Sequence, residues 1–330
     1  MEVAIEDLPV LEATAVARGC ETKRRARARV LSQNQSGTNA WLSALPSGVE
    51  FMCGAVIKTT LQRVLGIRTH RGSSTTIAEE CPYHDVLTAA GQARRNAAQV
   101  YPADSFHSSV CPPAGNHTTQ HNGMARGFGG GLRETGVTGA LAERQDVFDG
   151  PRAANRVLQM DLVLPPFSVT CDNPRLRNGQ RLLIDFSLAS PLCETAITVH
   201  HSDTVAGAAG TARENAKNAK YAGTTLPATA CFVPCVAETT GRLLPQFLAV
   251  LEDLATHKAR LVVDEERRSV VRGQHLARLR LLMSVAIQSA VSVSELQYQH
   301  NVRLLAVERS GRVRRGGLLG DAGWLRGRRG

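Results

Sequence analysis

The stretch RLLIDFSLA, residues Arg181–Ala189, is an apolar run of strand length with a single carboxylate near its centre. A run of this kind predicts a buried β-strand. The dipeptide Asn178-Gly179 stands just before it and is a strong hairpin signal. A second apolar run, VLQMDLVL at residues 157–164, lies on the other side of this turn and is ended by two prolines. We therefore expect an antiparallel hairpin over residues 156–189.

Helix and strand patterns alternate after this hairpin. We expect a short helix at Ala212–Tyr221, a strand at Thr229–Ala237, an amphipathic helix at Arg242–Lys258 and a further helix at His275–Ala290. The order strand, strand, helix, strand, helix is typical of an α/β layer structure. The predicted fold class is thus α/β, with a mixed central sheet flanked by helices.

The sequence before the hairpin is less regular. A helix is predicted at Glu50–Leu65, but residues 68–155 combine half of the histidines with scattered glycines and little periodicity. Such a segment is either organised by a metal, which replaces an apolar core, or a disordered insert.

The net charge of +10 is concentrated in two runs. Residues 18–29 hold six basic residues against one acid, and residues 303–330 hold eight arginines against two acids. Basic runs suit contact with phosphates, because binding releases the counterions that surround a nucleic acid. The alternative is a solvated linker and a disordered tail. The candidate contacts with DNA or RNA in the first run are Arg24, Arg25, Arg27 and Arg29.

Composition limits the compartment and the class of protein. The chain has 330 residues, 43% hydrophobic and only 4% aromatic, which is enough for one large domain or two ordinary ones. No run of about 18 uninterrupted apolar residues is present, so no membrane span is expected. The N-terminus begins acidic, unlike a secretory signal, and eight cysteines without such a signal predict reduced thiols in the nucleus or cytoplasm. No small-molecule cofactor is predicted, because the glycine-rich run near residue 129 lacks the lysine of a phosphate loop.

Two pairs of residues have the spacing of zinc ligands. Cys81 and His84 form a C-x2-H pair, and His107 and Cys111 form an H-x3-C pair. Each pair can supply two ligands to a tetrahedral zinc ion from one turn of chain. The alternative is a set of unrelated surface residues in a loop, and two further histidines nearby leave the ligand set open.

Two acids interrupt apolar strands. Asp161 and Asp185 each stand within an otherwise apolar run, where a carboxylate is unfavourable unless it is paired or bound to metal. Acids on neighbouring strands can hold Mg²⁺, which favours one or two carboxylates together with water and phosphate oxygens. Such an ion activates water for hydrolysis of a phosphodiester. Glu143 is a further candidate ligand, and in the alternative both aspartates face solvent.

A basic helix face accompanies these acids. Arg213, Lys217 and Lys220 stand at i, i+4 and i+7 of the predicted helix and therefore share one face. A lysine there can stabilise charge on a pentavalent phosphate or orient the attacking water. Arg213 is a candidate contact for the nucleic acid. The alternative is that these side chains only solvate the helix.

Taken in chain order, these motifs resemble the C-terminal region of eukaryotic non-LTR retrotransposon reverse transcriptase proteins. In those proteins a linker and an F…L…R.LG helix precede a Cys/His zinc knuckle that ends in H-x3-C. A restriction-endonuclease-like domain of the PD-(D/E)XK type follows, with an IDxS strand, a K..KY helix and an F.P.V.ET.G strand. The matching stretches here are Ser32–Pro46, Phe51–Gly66, His107–Cys111, His121-Asn122, Ile184–Ser187, Lys217–Tyr221 and Phe232–Gly241, within residues 30–290.

The resemblance implies a function and a set of site residues. Asp161 and Asp185 would bind the catalytic metal, and Lys217 or Lys220 would be the catalytic lysine. The zinc ligands would be Cys81, His84, His107 and Cys111. The parent activity is nicking of target DNA to prime reverse transcription. Because no polymerase motif is present, we expect a truncated, retroelement-derived endonuclease-like protein that binds nucleic acid and, if active, cleaves DNA with Mg²⁺. The alternative is a non-catalytic nucleic-acid-binding or inert remnant.

Four segments are expected along the chain. They are a charged, disordered lead-in (1–36), a helical linker with the Cys/His knuckle (37–125), the restriction-endonuclease-like α/β domain (126–300) and an Arg-rich disordered tail (301–330). The oligomeric state is left open.

Overall fold

A computed structural model of the chain describes residues 23–43, 52–65, 116–144, 160–166, 169, 179–222, 226 and 228–316. Its centre is one four-stranded sheet in the order β1-β2-β3-β4. The strands are β1 (Leu141–Arg144), β2 (Met160–Leu164), β3 (Arg181–Ala189) and β4 (Ala230–Glu238). β2 pairs antiparallel with β1 on one side and with β3 on the other, whereas β3 and β4 run parallel. The predicted α/β class with a mixed sheet is confirmed, and so is the antiparallel pairing of the two hairpin strands.

Helices flank this sheet and also precede it. They are α1 (Lys23–Gln33), α2 (Gly54–Val64), α3 (Asn116–Thr135), α4 (Glu194–Thr198), α5 (Ala208–Ala222), α6 (Pro245–Arg260) and α7 (Glu265–Gly316). A 3₁₀ turn at Ala40–Ser43 lies between α1 and α2. Parallel strands need a crossover connection, and here α4 and α5 together carry the chain from β3 to β4.

Both faces of β3 are covered, which explains its continuous apolar run. Its even-numbered residues enter the main core, where Phe186 stacks edge-on against Phe128 of α3 with ring centroids 5.2 Å apart. Its odd-numbered residues face α5, where Leu183 packs in a cluster with Tyr221. The two buried polar residues of the strand, Asp185 and Ser187, belong to this second face. The sheet therefore presents its polar groups to one particular helix.

Helix α1 corrects the prediction of a disordered lead-in from residue 23 onward, whereas residues 1–22 lie outside the described residues. Ala26 and Ala28 are fully buried, and Val30 is nearly so. The mean hydropathy of the segment is low because arginines alternate with these small residues. Small side chains let the helix lie close to the fold while long basic side chains reach outward or cap neighbouring carbonyls. Periodicity alone did not reveal it.

Helix α3 shows regular structure within the region 68–155, for which the sequence predicts little, and residues 66–115 of the chain lie outside the described residues. It packs closely on α7 because glycines face that helix. A Cβ atom at Gly123 would lie 2.4 Å from the Cβ of Ala290, and one at Gly127 would lie 2.3 Å from the Cβ of Ala286. These glycines lower helix propensity but permit the close crossing that buries Phe128.

Helix α7 is far longer than the predicted helix at His275–Ala290. It has 52 residues and continues to Gly316, so at least residues 301–316 of the expected disordered tail are helical. An 18-residue window within Glu265–His300 has a mean hydropathy of 1.4, which by length and composition is enough to cross a membrane, but 56% of that window is buried inside the fold. A core helix of a soluble protein passes the same test, and this helix contributes Leu279, Met283 and Ile287 to the main core.

Candidate functional site

The mid-strand acids meet in one open cleft. It has a volume of about 360 Å³ and lies where β2 begins beside β3, between α3 and α5. Polar and charged side chains dominate its wall, namely Thr118, His121, Asp161, Asp185, Ser187, Arg213, Lys217, Lys220 and Tyr221.

Asp185 is held by Lys217. The lysine Nζ lies 2.6 Å from Oδ1 and 2.7 Å from Oδ2 of the carboxylate. Only 6% of the Asp185 side chain and 15% of the Lys217 side chain are exposed. A carboxylate this deep is costly without a counter-charge, and an ion pair with two short hydrogen bonds supplies one.

The spacing of α5 and β3 produces this pairing. Along α5, the Nε atom of Arg213 donates to the Oγ atom of Ser187 at 2.7 Å, and Lys217 reaches Asp185 one turn later. Four helical residues advance about 6 Å and two strand residues about 6.6 Å. Because the helix runs opposite to the strand, successive turns of α5 meet successive odd-numbered residues of β3. The sequence therefore fixes a row of polar contacts along this face.

Asp161 reaches the cleft from the neighbouring strand. The ladder between β2 and β3 includes Leu162 opposite Ile184, and the same register brings Asp161 opposite Asp185. The Oδ2 atom of Asp161 accepts a hydrogen bond from the backbone N–H of Phe186 at 2.6 Å. The carboxylate thus binds the edge of β3 at the point where the pairing with β2 ends.

A histidine completes the contacts of Asp161. The Nε2 atom of His121, on the second turn of α3, lies 2.8 Å from Oδ2 of Asp161. Its Nδ1 atom lies 3.2 Å from the side-chain oxygen of Asn122. The hydrogen bond to Asp161 raises the pKa of His121 above its ordinary value of 6.5, against the opposing effect of burial. His121 and Asp161 therefore favour an imidazolium–carboxylate pair.

The pKa of Asp161 is lowered from its ordinary value of 3.8. Burial would raise it, but the hydrogen bond and charge of His121 and the hydrogen bond from the Phe186 amide together outweigh burial. The interaction with Asp185 also contributes to the lowering of the Asp161 pKa. Asp161 is consequently ionised across the neutral range.

Lys220 and Tyr221 form the outer wall of the cleft. The Nζ atom of Lys220 donates to the hydroxyl of Tyr221 at 3.0 Å and lies 4.6 Å from the centre of its ring. Burial lowers the pKa of Lys220, although the charge of Asp185 acts in the opposite direction. Burial and the neighbouring Asp185 raise the pKa of Tyr221, which keeps its hydroxyl protonated.

Cationic groups outnumber acids at this site. Three basic side chains of α5 and the imidazolium face two carboxylates, so the cleft carries a surplus of positive charge that suits an anion. The same two carboxylates are hard oxygen donors, and such a pair with water and phosphate oxygens is a usual ligand set for Mg²⁺. Within the part of the chain that the structure describes, no group of three or more His, Cys, Asp and Glu side chains is arranged to hold a metal ion. A divalent ion here would take its remaining ligands from solvent and from a bound phosphate.

The structure brings together five of the predicted site residues, which are Asp161, Asp185, Arg213, Lys217 and Lys220. The two lysines have different partners in the cleft. Lys217 makes a hydrogen bond to Asp185, whereas Lys220 makes one to Tyr221. The predicted zinc ligands Cys81, His84, His107 and Cys111 lie outside the described residues. Glu143 falls in β1, and its side chain is also outside the described part.

The arginines of the first basic run are partly used by the fold itself. The side chain of Arg29 is buried, and its Nη1 atom donates to the carbonyl of Val64 at 2.7 Å. Arg29 therefore supports the fold, and its contact with nucleic acid stays a prediction. Arg24 pairs with Asp203 at 2.6 Å. Arg25 is half-buried and Arg27 is exposed, and their contact with nucleic acid stays a prediction.

His121 is the site residue that spacing did not identify. The sequence indicates it only as a further histidine near the predicted zinc pairs and as part of the His-Asn motif of the resemblance. Its position depends on α3, and the glycines of that helix obscured its pattern in the sequence.

Comparison of the chain with known protein families, with curated proteins and with solved structures finds no match.

Proposed function

We propose that the chain is a retroelement-derived, endonuclease-like protein that binds nucleic acid and cleaves DNA with Mg²⁺ in the cleft between α3 and α5. The observation that carries this proposal is the convergence of two strand carboxylates with a basic helix face. Asp161 and Asp185 line one cleft, and the amine of Lys217 donates hydrogen bonds to both carboxylate oxygens of Asp185. Phosphodiester hydrolysis needs groups of this type, because negative charge grows on the phosphate as water attacks.

Each side chain has a separate part in such a reaction. Asp161 and Asp185 would hold the divalent ion. When bound, such an ion acts as a Lewis acid and lowers the pKa of the water that it binds. Arg213 and Lys220 line the same wall and would hold the phosphate oxygens. Lys217 is paired with Asp185 in the structure. With an ion bound to that carboxylate, the amine of Lys217 would be available to stabilise negative charge on the phosphate. His121 keeps Asp161 ionised and oriented.

The resemblance to non-LTR retrotransposon proteins supports the same assignment. It gives the roles of metal-binding acids to Asp161 and Asp185 and of catalytic lysine to Lys217 or Lys220. Of the two lysines, we favour Lys217, because only its Nζ atom makes a described hydrogen bond to an acid of the cleft. The restriction-endonuclease-like identity of the sheet and the zinc knuckle of Cys81, His84, His107 and Cys111 belong to the same proposal.

Nicking of supercoiled plasmid in the presence of Mg²⁺ tests this function. The wild-type protein is expected to nick, and Asp185→Ala is expected to remove nearly all of this activity, because it removes one of the two carboxylates proposed to hold the ion. The matched control is Asp264→Ala, because Asp264 is an exposed acid in the turn before α7. Equal nicking by wild type and Asp185→Ala would contradict the proposal.

A second function is favoured by the surplus of positive charge in the cleft. We infer as the alternative a protein that binds nucleic acid without cutting it, since Lys217 occupies both oxygens of Asp185. Binding would then be sequence-indifferent and strongly salt-dependent. Deletion of residues 18–29 is not a suitable test, because the deletion removes the first half of α1 and its buried alanines. The slope of log affinity against log salt is negative, and Arg213→Ala and Lys220→Ala should each reduce its magnitude by about 1. Arg267→Ala, at an exposed position near the start of α7, should not change it.

A further inference from the structure

A buried carboxylate outside the cleft anchors the helix that carries its basic residues. Glu238 is the last residue of β4 and is fully buried. Its Oε1 atom accepts a hydrogen bond at 3.1 Å from the backbone N–H of Gly210, in the first turn of α5. Its Oε2 atom accepts a hydrogen bond from the hydroxyl of Ser32, in α1. One side chain therefore links β4, α1 and the N-terminal end of α5.

An arginine completes this junction. The Nε atom of Arg242 lies 3.9 Å from Oε2 of Glu238. The same guanidinium donates to the carbonyls of Leu31 at 2.8 Å and of Ser32 at 3.0 Å, near the C-terminal end of α1. An acid near the N-terminal end of a helix and a base near the C-terminal end of a helix both stabilise it, because each charge compensates the partial charge of the helix dipole at that end. The charge pair therefore holds two helix ends against the same corner of the sheet.

The junction sets where α5 begins along the sheet. Glu238 pairs with Ala189 at the end of β3, and the N–H of Thr239 donates to the Ala189 carbonyl at 2.9 Å. From Gly210 to Lys217 the helix makes two turns, about 10.5 Å. The first turn of α5 packs closely on Leu244 at this point, because a Cβ atom on Gly210 would lie 2.2 Å from the side chain of Leu244. The height of Lys217 beside Asp185 is therefore fixed from this end of the helix.

We propose that Glu238 is a positioning residue, which acts through Gly210 and α5 to place Lys217 opposite Asp185. Its effect on the lysine follows from the contacts alone, and its consequence for DNA cleavage rests on the proposed function. Glu238 does not touch the cleft, and so it is not a catalytic residue.

Acetylation of lysine amines in the folded protein, read by mass spectrometry, tests the placement without any need for cleavage. In the wild type Lys217 should react slowly, because its amine is paired with Asp185 and largely buried. Glu238→Leu keeps a similar volume and removes both acceptor oxygens, and Lys217 should then react several-fold faster. Glu238→Gln keeps an acceptor for Gly210 and should return the rate close to that of the wild type. Lys258, on α6, is the internal reference and should not change.

Two controls keep the test decisive. Glu214→Leu removes a different buried acid, which lies within α5 and accepts a hydrogen bond from the N–H of Gln246 instead of from the first turn of α5. This variant should leave the Lys217 rate unchanged. If Glu238→Leu does not fold, Ser32→Ala removes one donor to the carboxylate, and a faster Lys217 reaction is again expected. An unchanged Lys217 rate in a folded variant would overturn the inference.

Cleavage provides the second readout. If the protein nicks DNA, Glu238→Leu should lower the turnover rate more than the affinity, and its loss should not multiply with that of Lys217→Met, because both act through one amine. Multiplicative losses would contradict the positioning role. No nicking by the wild type would count against the proposed function and would leave the acetylation result to decide the placement of Lys217.

Discussion

At the scale of single residues, the two acids within apolar strands are explained by the partners that meet them. A mid-strand carboxylate is unfavourable without a cation or a hydrogen-bond donor. Lys217 meets Asp185 through both oxygens, and His121 and a backbone amide meet Asp161. The alternative in which both acids face solvent is therefore wrong.

Removal of Lys217 should leave a buried charge without its partner. We expect Lys217→Met to lower the free energy of unfolding by about 3 kcal/mol, because breaking one side of a buried ion pair leaves the other uncompensated. The double variant Asp185→Leu with Lys217→Met should recover most of this loss, since no charge is then buried. Urea titration of the wild type, Lys217→Met, Asp185→Leu and the double variant measures both effects. Losses that simply add would show that the pair is not energetically coupled.

The pair of His121 and Asp161 should contribute stability only between two pH limits. The pKa of His121 is raised, so its contribution is complete below its unfolded value near 6.5 and is lost as the pH rises through the folded pKa. The pKa of Asp161 is lowered, so its contribution is present above its unfolded value near 3.8 and is lost as the pH falls through the folded pKa. The difference in unfolding free energy between wild type and His121→Gln should thus peak between these values, at about 1 kcal/mol or less for a partly exposed pair.

Chemical denaturation of both proteins from pH 3 to pH 9 measures this difference. His257→Gln is the control, because burial lowers the pKa of His257 and gives it the opposite pH dependence. A difference for His121→Gln that grows steadily above pH 7 would contradict the pairing with Asp161.

At the scale of elements, what could be predicted depended on how each segment is buried. The bounds of β3 were predicted to the residue, because a strand covered on both faces must be apolar throughout. α5 was expected from Ala212 but begins at Ala208, because its first turn depends on a distant acceptor, Glu238. Helices α1 and α3 were missed, since they pack through alanine and glycine and lack the apolar stripe by which a helix is recognised.

The glycines of α3 should differ sharply in their tolerance of a methyl group. Gly127→Ala would place a Cβ atom 2.3 Å from the Cβ of Ala286 and should cost about 1–3 kcal/mol of unfolding free energy. Gly129→Ala would meet only the guanidinium of Arg133, at 3.9 Å, and should stabilise the protein by about 0.5–1 kcal/mol through helix propensity. Thermal unfolding of this matched pair measures the contrast. Equal effects of the same sign would mean that α3 does not cross α7 as closely as described.

At the scale of the whole molecule, α7 is the element against which α2, α3 and α6 pack. It carries a buried polar stripe beside its apolar one, formed by Ser284, Gln288, Ser292 and Glu295. The hydroxyl of Ser292 lies 2.7 Å from that of Thr60 in α2, and the Nε2 atom of Gln288 donates to the carbonyl of Thr240 at 2.6 Å. These contacts join α2 and the end of β4 to one long helix.

Gln288 should be important for this assembly. It accepts a hydrogen bond from Arg63, a buried arginine whose pKa burial lowers to about 10 and whose Nη1 atom donates to the carbonyl of Thr239 at 2.6 Å. Gln288→Leu removes that acceptor and should lower the free energy of unfolding by about 2–3 kcal/mol. Gln274→Leu, at an exposed position of the same helix, should change it by less than about 0.5 kcal/mol. Similar effects at both positions would show that Gln288 does not join these elements.

The central claim is that Asp161, from β2, and Asp185, from β3, act as one nuclease site. The most direct test is the rate of plasmid nicking with Mg²⁺ for Asp161→Asn, Asp185→Asn and the double variant. Residues that act as a unit lose nearly the same activity singly and together, so we predict that each single variant is about as slow as the double. Losses that multiply, or a wild-type protein that is folded and binds DNA but does not nick it, would contradict the claim and favour the non-catalytic alternative.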